Sequence, residues 1–298
     1  MVAFDTDLGL FQRVECRNYC GLRYHLDIRY NKVLRPIRFA YLIFVNIVFT
    51  DMARQIPWFY MWSQKYAFFH HLLEGSMKEP ELKLEPIFIE QSVFDENLHK
   101  KQGEHAWSGC SIKIDLLIQR LKDADNVHPY ILFTDVDLVV KPGIYKHLVP
   151  YMESGTSMVF LKEGQHLNIG FVLLKVCPDV LAFWEMVKAK MVEEPKHDQG
   201  YVNELIEGYP GTYMTFDNQL FCCSNTWEGT VPFVVMQPLC SCLGKELDFA
   251  EKVFYAAQYT EVQNYMKYVP TDIIPFIYQF QEIIVRSHQQ AKADVASE

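Results

Sequence analysis

The segment Tyr130–Val140, YILFTDVDLVV, constrains the fold more than any other part of this chain, because an apolar strand pattern runs directly into two acidic residues. Continuous apolar runs of this length are typical of strands buried on both faces of a sheet. Asp135 and Asp137 lie two residues apart, so an extended chain directs both carboxylates to the same side. Such a pair repels itself unless a cation lies nearby, and Mg²⁺ and Mn²⁺ prefer oxygen ligands. The segment therefore predicts a divalent-metal site at a strand end; a solvated turn with two exposed acids is the alternative.

Helix and strand patterns alternate along the chain. The sequence predicts strands over Ile37–Phe49, Pro86–Ile89, Tyr130–Val140, Met158–Leu161 and Gly170–Lys175, and helices over Pro57–His71, Ser108–Lys122, Pro178–Val192, Asp198–Glu207, Glu246–Gln258 and Asp272–Val285. This alternation predicts an α/β fold with a mostly parallel sheet flanked by helices. In such folds, ligands bind beyond the carboxyl ends of the strands. We expect an N-terminal extension over 1–36, one main domain over 37–285 and a polar, disordered tail over 286–298.

Composition and charge exclude several other classes. Half of the residues are apolar and 22% are charged, which excludes a disordered chain and a simple coiled coil. The net charge of −9 argues against a nucleic-acid partner, since nonspecific binding to nucleic acids requires a positive surface. The most apolar run, Phe39–Thr50, is too short to cross a membrane, and the start MVAFDTDLGLF lacks the basic region of a signal peptide. We therefore expect a cytoplasmic protein without a membrane span.

The cysteine and histidine residues indicate no metal site of their own. The eight cysteines match no zinc-binding spacing, and we expect reduced, mostly buried thiols; a disulfide between two of the C-terminal cysteines is the alternative. His70 and His71 lie in an aromatic segment and are predicted to pack there.

Two further segments place small and polar residues at element boundaries. Asn168 and Gly170 lie at the start of the apolar strand pattern FVLLK, and Asp198 and Gln199 begin the helical pattern YVNELI. By itself, the first segment is compatible with a simple turn, and the second with a helix N-cap. Their order is more specific, because they follow the two-carboxylate strand end at intervals of about 30 residues.

This ordered set, hhhhDxD followed by NxGF and DQ, resembles the nucleotide-sugar-dependent glycosyltransferases with the GT-A fold, a mixed, mostly parallel Rossmann-like sheet. The resemblance covers residues 37–221. It implies that Ile37–Val45, with Asn46 beside it, is the first strand, which lies under the nucleoside. It also implies that Lys113, on the helix Trp107–Leu121, takes a commonly basic position near the donor.

The resemblance also implies roles for the acidic and amide residues. Asp135 and Asp137 bind the metal with the donor diphosphate, and Asn168 and Gly170 face the donor sugar. Asp198 and Gln199 lie near the reacting carbon. The implied reaction moves a sugar from a UDP- or GDP-linked donor to a hydroxyl acceptor on a glycan, a protein or a small molecule, with Mn²⁺ or Mg²⁺.

One departure and two alternatives accompany this interpretation. Many members of the fold supply a third metal ligand, often His, after the sheet, but residues 218–285 contain no histidine. Water and phosphate, or an acid such as Asp217 or Asp248, are the replacements we consider. The spelling hhhhDxDx[TV] also fits a haloacid-dehalogenase-type phosphatase, in which the first Asp is a nucleophile. A non-catalytic scaffold that binds a glycan or a nucleotide sugar is the remaining alternative.

Overall fold

The fold centres on a six-stranded sheet in a computed structural model, which describes residues 11–17, 23–29, 55–90, 92–93, 108–124, 127–194, 197–224, 232–240, 245–258, 260–282 and 286. Its strands are β3 (Ile56–Trp62), β4 (Leu82–Phe88), β5 (Tyr130–Thr134), β7 (Met158–Glu163), β8 (His166–Lys175) and β9 (Tyr213–Thr215), in the order β4-β3-β5-β8-β7-β9. Five strands run in one direction, and β8 alone among these six is antiparallel to its neighbours. The predicted fold class, α/β with a mixed, mostly parallel sheet, is confirmed.

Two smaller sheets accompany the main one. The hairpin of β1 (Phe11–Arg17) and β2 (Arg23–Arg29) lies within the predicted N-terminal extension. The strands β6 (Val139–Val140), β10 (Phe221–Cys223) and β11 (Val235–Gln237) form a three-stranded sheet that begins just after Asp137. The predicted strand over Ile37–Phe49, Asn46 and nearly all of the predicted tail lie outside the described residues.

Helices cover both faces of the main sheet. They are α1 (Ala67–Ser76), α2 (Ser108–Ala124), α3 (Tyr145–Glu153), α4 (Pro178–Glu193), α5 (Asp198–Leu205) and α6 (Lys245–Ala257), with 3-10 helices at Gln64–Tyr66, Ile206–Gly208 and Thr260–Tyr268 and a helical segment over 274–282. One face packs against α2, α4 and α5, and the other against α1 and α6. The apolar stripe of α4 is buried, as the 3.6-residue period predicts: Val180, Phe183, Trp184, Val187 and Met191.

The prediction of a helix over Pro57–His71 is wrong in its first half, because these residues form the strand β3 before α1 begins. Aromatic residues three and four positions apart suggested a helical stripe. In the structure, Trp58 and Tyr60 pack into the core on one sheet face and Phe59 into the core on the other. A strand buried on both faces shows no alternation of apolar and polar residues, so its period cannot be read from the sequence.

Because of the strand directions, several strand ends meet at one edge of the sheet. The carboxyl ends of β3, β5, β7 and β9 meet there with the amino end of β8. At this edge the pairing of β7 with β8 is interrupted, since Phe160 pairs with Val172 but Leu161 pairs with Asn168. The interruption directs residues 168–170 toward β5, where the Asp135 amide donates to the Gly170 carbonyl. Within the described ranges, no helix is long and apolar enough to cross a membrane.

Candidate active site

Asp135 lies at the end of β5 and is held by two side chains. Lys113 Nζ, from α2, lies 2.6 Å from Asp135 Oδ1 and 3.0 Å from the Ile169 carbonyl. Gln237 Nε2, from β11, donates to Asp135 Oδ2 at 3.0 Å. Burial alone raises the pKa of a carboxyl, but the charge and hydrogen bond of Lys113 outweigh it and hold the pKa of Asp135 below its ordinary value. Asp135 is therefore a carboxylate at neutral pH.

Asp137 has a lysine of its own. Lys252 Nζ, on α6, lies 2.5 Å from Asp137 Oδ2, although the two residues are 115 positions apart. Burial raises the pKa of Asp137, and the nearby charge of Asp135 adds to this effect while Lys252 opposes it. The C-terminal helix α6 thus contributes directly to the strand-end acids. No local pattern in the sequence marks Lys252, because its partner is distant along the chain.

Gly170 makes room for the side chain that holds Asp135. A Cβ atom at position 170 would lie 2.0 Å from Gln237 Nε2 and 2.2 Å from Gln237 Oε1. The glycine therefore lets the Gln237 amide lie against the backbone of β8 and reach Asp135. The sequence analysis assigned Gly170 to the donor sugar, which stays a prediction; the structure gives Gly170 a packing role against Gln237.

We expect Gly170→Ala to displace Gln237 without unfolding the protein, because the clashing atoms are the end of a flexible side chain. The lost hydrogen bond to a charged group is worth about 1.5–3 kcal/mol. Thermal unfolding of Gly170→Ala, Gln237→Ala and the double variant measures the coupling between the two positions. We expect the double variant to be little less stable than either single variant; fully additive losses would contradict a shared role of the two residues.

Glu163, at the end of β7, joins the two predicted amide residues. Its Oε2 accepts hydrogen bonds from Asn168 Nδ2 at 2.8 Å and from Gln199 Nε2 at 3.1 Å. The other end of each amide is also held, since Asn168 Oδ1 accepts from the Gly170 amide and Gln199 Oε1 from the Ile169 amide. The predicted residues Asn168, Gly170 and Gln199 therefore form one network, which sequence reasoning found without its acidic centre, Glu163.

Asp198 is the first residue of α5 and is buried, with 2% of its surface exposed. His197, not Asp198, takes the N-cap position, so the interpretation of Asp198 as a simple N-cap is wrong. Asp198 Oδ1 accepts from the Gln199 amide, whereas Oδ2 is buried and meets no hydrogen-bond donor within the described residues. Burial lowers the pKa of Lys113, the lysine that is hydrogen-bonded to Asp135, but the negative charges of Asp135 and Asp198 raise this pKa above its ordinary value.

The charges of this edge do not balance. Among its described residues, four acids face two ammonium groups and one imidazole, which leaves an excess of one negative charge with His197 protonated and of two with His197 neutral: Asp135, Asp137, Asp198 and Glu163 against Lys113, Lys252 and His197. Each carboxylate oxygen can accept more than one contact, so the lysines do not exhaust the acids. This excess, on hard oxygen donors, fits a divalent cation.

The described acids and histidines do not supply a third ligand to Asp135 and Asp137. Within the described ranges, close groups of three possible metal ligands occur at His70, His71 and Glu74 and at Cys110, His197 and Asp198. Neither group includes Asp217 or Asp248, the two replacements considered from the sequence. Asp217 instead accepts from the Gln219 amide in a turn after β9. His70 packs as predicted, stacked on Trp62 at 3.8 Å between ring centres.

The comparisons with known proteins give a likeness to solved glycosyltransferase structures. No protein-family model and no curated protein matches the sequence. A glycosyltransferase involved in the glycosylation of the major capsid of PBCV-1 shares 15% identity at a TM-score of 0.46, over 68% of this chain and 100% of its own. Mouse xyloside xylosyltransferase 1 shares 13% identity at a TM-score of 0.41, over 64% of this chain and 100% of its own. The glycosyltransferase GlyE from Streptococcus pneumoniae shares 13% identity at a TM-score of 0.43, over 78% of this chain and 64% of its own. At these values, the likeness carries no conclusion about what this chain binds or does.

Proposed function

We propose that this protein is a metal-dependent glycosyltransferase, which moves a sugar from a nucleoside-diphosphate donor to a hydroxyl acceptor. The observation that carries the proposal is the convergence of Asp135, Asp137, Asn168, Asp198 and Gln199 on one strand-end edge. The chemistry needs a cation-binding acid pair for the leaving diphosphate, amides for sugar hydroxyls, and a carboxylate near the reacting carbon. The edge offers all three.

The acid pair and its lysines form the diphosphate end of the site. Asp135 and Asp137 would hold Mn²⁺ or Mg²⁺, which supplies Lewis-acid neutralisation of the leaving diphosphate when bound. Lys113 keeps Asp135 ionised and fixes its rotamer through the Ile169 carbonyl. A diphosphate adds negative charge to an edge that already carries an excess of it, so its binding requires an added cation.

Asn168 and Gln199 form the sugar end of the site. Glu163 fixes both amides, so their remaining donor and acceptor positions are oriented before the sugar binds. The unpartnered Asp198 Oδ2 can accept the proton of an acceptor hydroxyl, hold a sugar hydroxyl, or stabilise positive charge on the sugar. The phosphatase alternative is less well supported, since its DxD motif normally stands near the start of its domain, whereas β3, α1, β4 and α2 precede Asp135 here.

The donor class is tested by thermal unfolding of the full chain with UDP, GDP and CDP, each with Mn²⁺ or with EDTA. A ligand at 100 times its Kd stabilises the fold by about 2.7 kcal/mol. We expect one nucleoside diphosphate to raise Tm by several degrees with Mn²⁺ and not with EDTA. If none raises Tm in folded protein, the proposal is wrong.

We expect Glu163→Ala to weaken donor binding more than it slows the reaction, because the amides lose their common acceptor. Charge-assisted hydrogen bonds are worth about 1.5–3 kcal/mol each, so KM for the donor rises by about tenfold or more. Glu163→Gln is the matched control, since its amide oxygen still accepts, and it recovers part of the loss. Equal kinetics for Glu163→Ala and the wild type would remove this positioning role.

A further inference from the structure

A second group of ligand-type side chains lies beside the candidate active site, at the amino ends of two helices. Cys110 is in the first turn of α2, and His197 and Asp198 begin α5. One ligand atom from each residue lies within 4.8 Å of the other two, and His197 Nε2 lies 3.5 Å from Asp198 Oδ1. We infer that this cluster binds a thiophilic divalent ion of the Zn²⁺ class, at a site distinct from the acid pair Asp135 and Asp137.

The Asp198 carboxylate points to a cation more strongly than the other two residues do. Its side chain is 3% exposed and its Oδ2 atom is buried without a hydrogen-bond partner among the described residues, although the Cys110 thiol is hydrogen-bonded to the same carboxylate group. Burying a charged oxygen without a partner is costly, and a cation bound by the carboxylate removes that cost. Lys113 lies near Asp198 as well, but its ammonium group is already held by Asp135 and the Ile169 carbonyl.

The ligand types and their separation favour Zn²⁺ over the hard ions proposed for the acid pair. Sulfur and imidazole ligands select Zn²⁺, whereas Mg²⁺ and Mn²⁺ favour oxygen. Ligands at about 2.0–2.3 Å from a tetrahedral Zn²⁺ are separated by about 3.3–3.8 Å, and the His197–Asp198 distance already falls in this range. Three protein ligands leave a fourth position for water, as in open zinc sites.

Binding at this cluster is a ligand substitution. Zn²⁺ exchanges bound water for Cys110 Sγ, a His197 ring nitrogen and an Asp198 oxygen, and the Cys110 thiol releases its proton to solvent. The cluster shares Asp198 with the proposed active site. Occupancy by Zn²⁺ therefore inhibits sugar transfer, a consequence that rests on the proposed function, whereas the binding itself does not.

The test measures metal binding directly, so that its outcome is independent of any transferase activity. The full chain, with metals removed, is titrated with Zn²⁺ against a chromophoric chelator, and with Co²⁺ while thiolate-to-cobalt charge-transfer absorption is recorded. We expect Cys110→Ser to bind one Zn²⁺ fewer per chain than the wild type and to lack the thiolate-to-cobalt charge-transfer band. Cys177→Ser, in a half-buried cysteine outside the cluster, keeps both.

Either of two results overturns the inference: wild-type protein that shows no cobalt charge-transfer band, or Cys110→Ser protein that binds Zn²⁺ and Co²⁺ as the wild type does. His197→Gln, at a partly exposed position, repeats the test if Cys110→Ser fails to fold. We expect it to weaken Zn²⁺ binding by at least tenfold. A variant at the other cluster, His71→Gln, keeps the cobalt band, since no thiol belongs to that group.

Discussion

On the proposed function, Asp135→Asn lowers the rate of donor turnover by about 10²-fold or more, because it removes the negative charge that would hold the cation of the donor diphosphate and that pairs with Lys113. Asparagine has nearly the same shape, its amide oxygen still accepts from Lys113, and Lys113 keeps the Ile169 carbonyl. The buried Lys113 ammonium still loses its counter-charge, so we expect a lower Tm, and thermal unfolding establishes that each variant is folded at the assay temperature. The measurement is nucleoside-diphosphate release from the responding nucleotide sugar, at saturating Mn²⁺, for Asp135→Asn and for Asp137→Asn.

Asp115→Asn is the matched control for this loss. Asp115 lies on α2, the helix of Lys113, but it is exposed and pairs with Lys188 at the surface. Its removal changes surface charge without touching the site, so turnover stays within twofold of the wild type. Full activity with an unchanged Mn²⁺ requirement in both Asp135→Asn and Asp137→Asn would remove the metal role of these acids.

Lys252→Met destabilises the protein by about 3 kcal/mol, because it leaves the Asp137 carboxylate buried without its counter-charge. For a domain of this size, that loss lowers Tm by about 6–12 °C. The double variant Lys252→Met with Asp137→Asn recovers much of the loss, since no unpaired charge remains. Thermal unfolding at neutral pH measures all three proteins.

Lys122→Met provides the comparison for Lys252→Met. Lys122 pairs with Glu185, but both side chains are about half exposed, and such surface pairs contribute about 0–1 kcal/mol. Both variants remove a lysine that pairs with an acid, but Asp137 is buried and Glu185 is half exposed, so the comparison isolates the effect of burial. If Lys252→Met is as stable as Lys122→Met, α6 does not hold the strand-end acids.

Local sequence patterns predicted those helices and strands whose conformation does not depend on which other elements pack against them. The stripe of α4 and the strand β5 follow from periodicity and burial alone, although the predicted strand over Tyr130–Val140 is interrupted after Thr134 and resumes as β6 in another sheet. The strand β3 was predicted as a helix, since Trp58, Phe59 and Tyr60 are apolar on both faces. Only the packing of helices on each side of the sheet decides their conformation.

The same difference separates the site residues that the sequence predicted from those it missed. Asp135 and Asp198 stand at recognisable boundaries between elements, and Asn168 precedes the apolar run of β8. Gln237 and Lys252 meet the acids from 102 and 115 positions away, and each contact depends on how later elements return to the sheet edge. Glu163 lies close to Asn168 in sequence, but its role needs the interrupted pairing of β7 with β8.

The most direct test of the central claim is nucleoside-diphosphate release by the full chain from a panel of UDP-, GDP- and CDP-linked sugars, with Mn²⁺ and with EDTA. We expect release from at least one nucleotide class with Mn²⁺ and none with EDTA, and no hydrolysis of p-nitrophenyl phosphate. Hydrolysis of p-nitrophenyl phosphate with Mg²⁺ would identify a phosphatase instead. Folded protein that releases nothing from any donor would contradict the claim that this edge of the sheet transfers sugar.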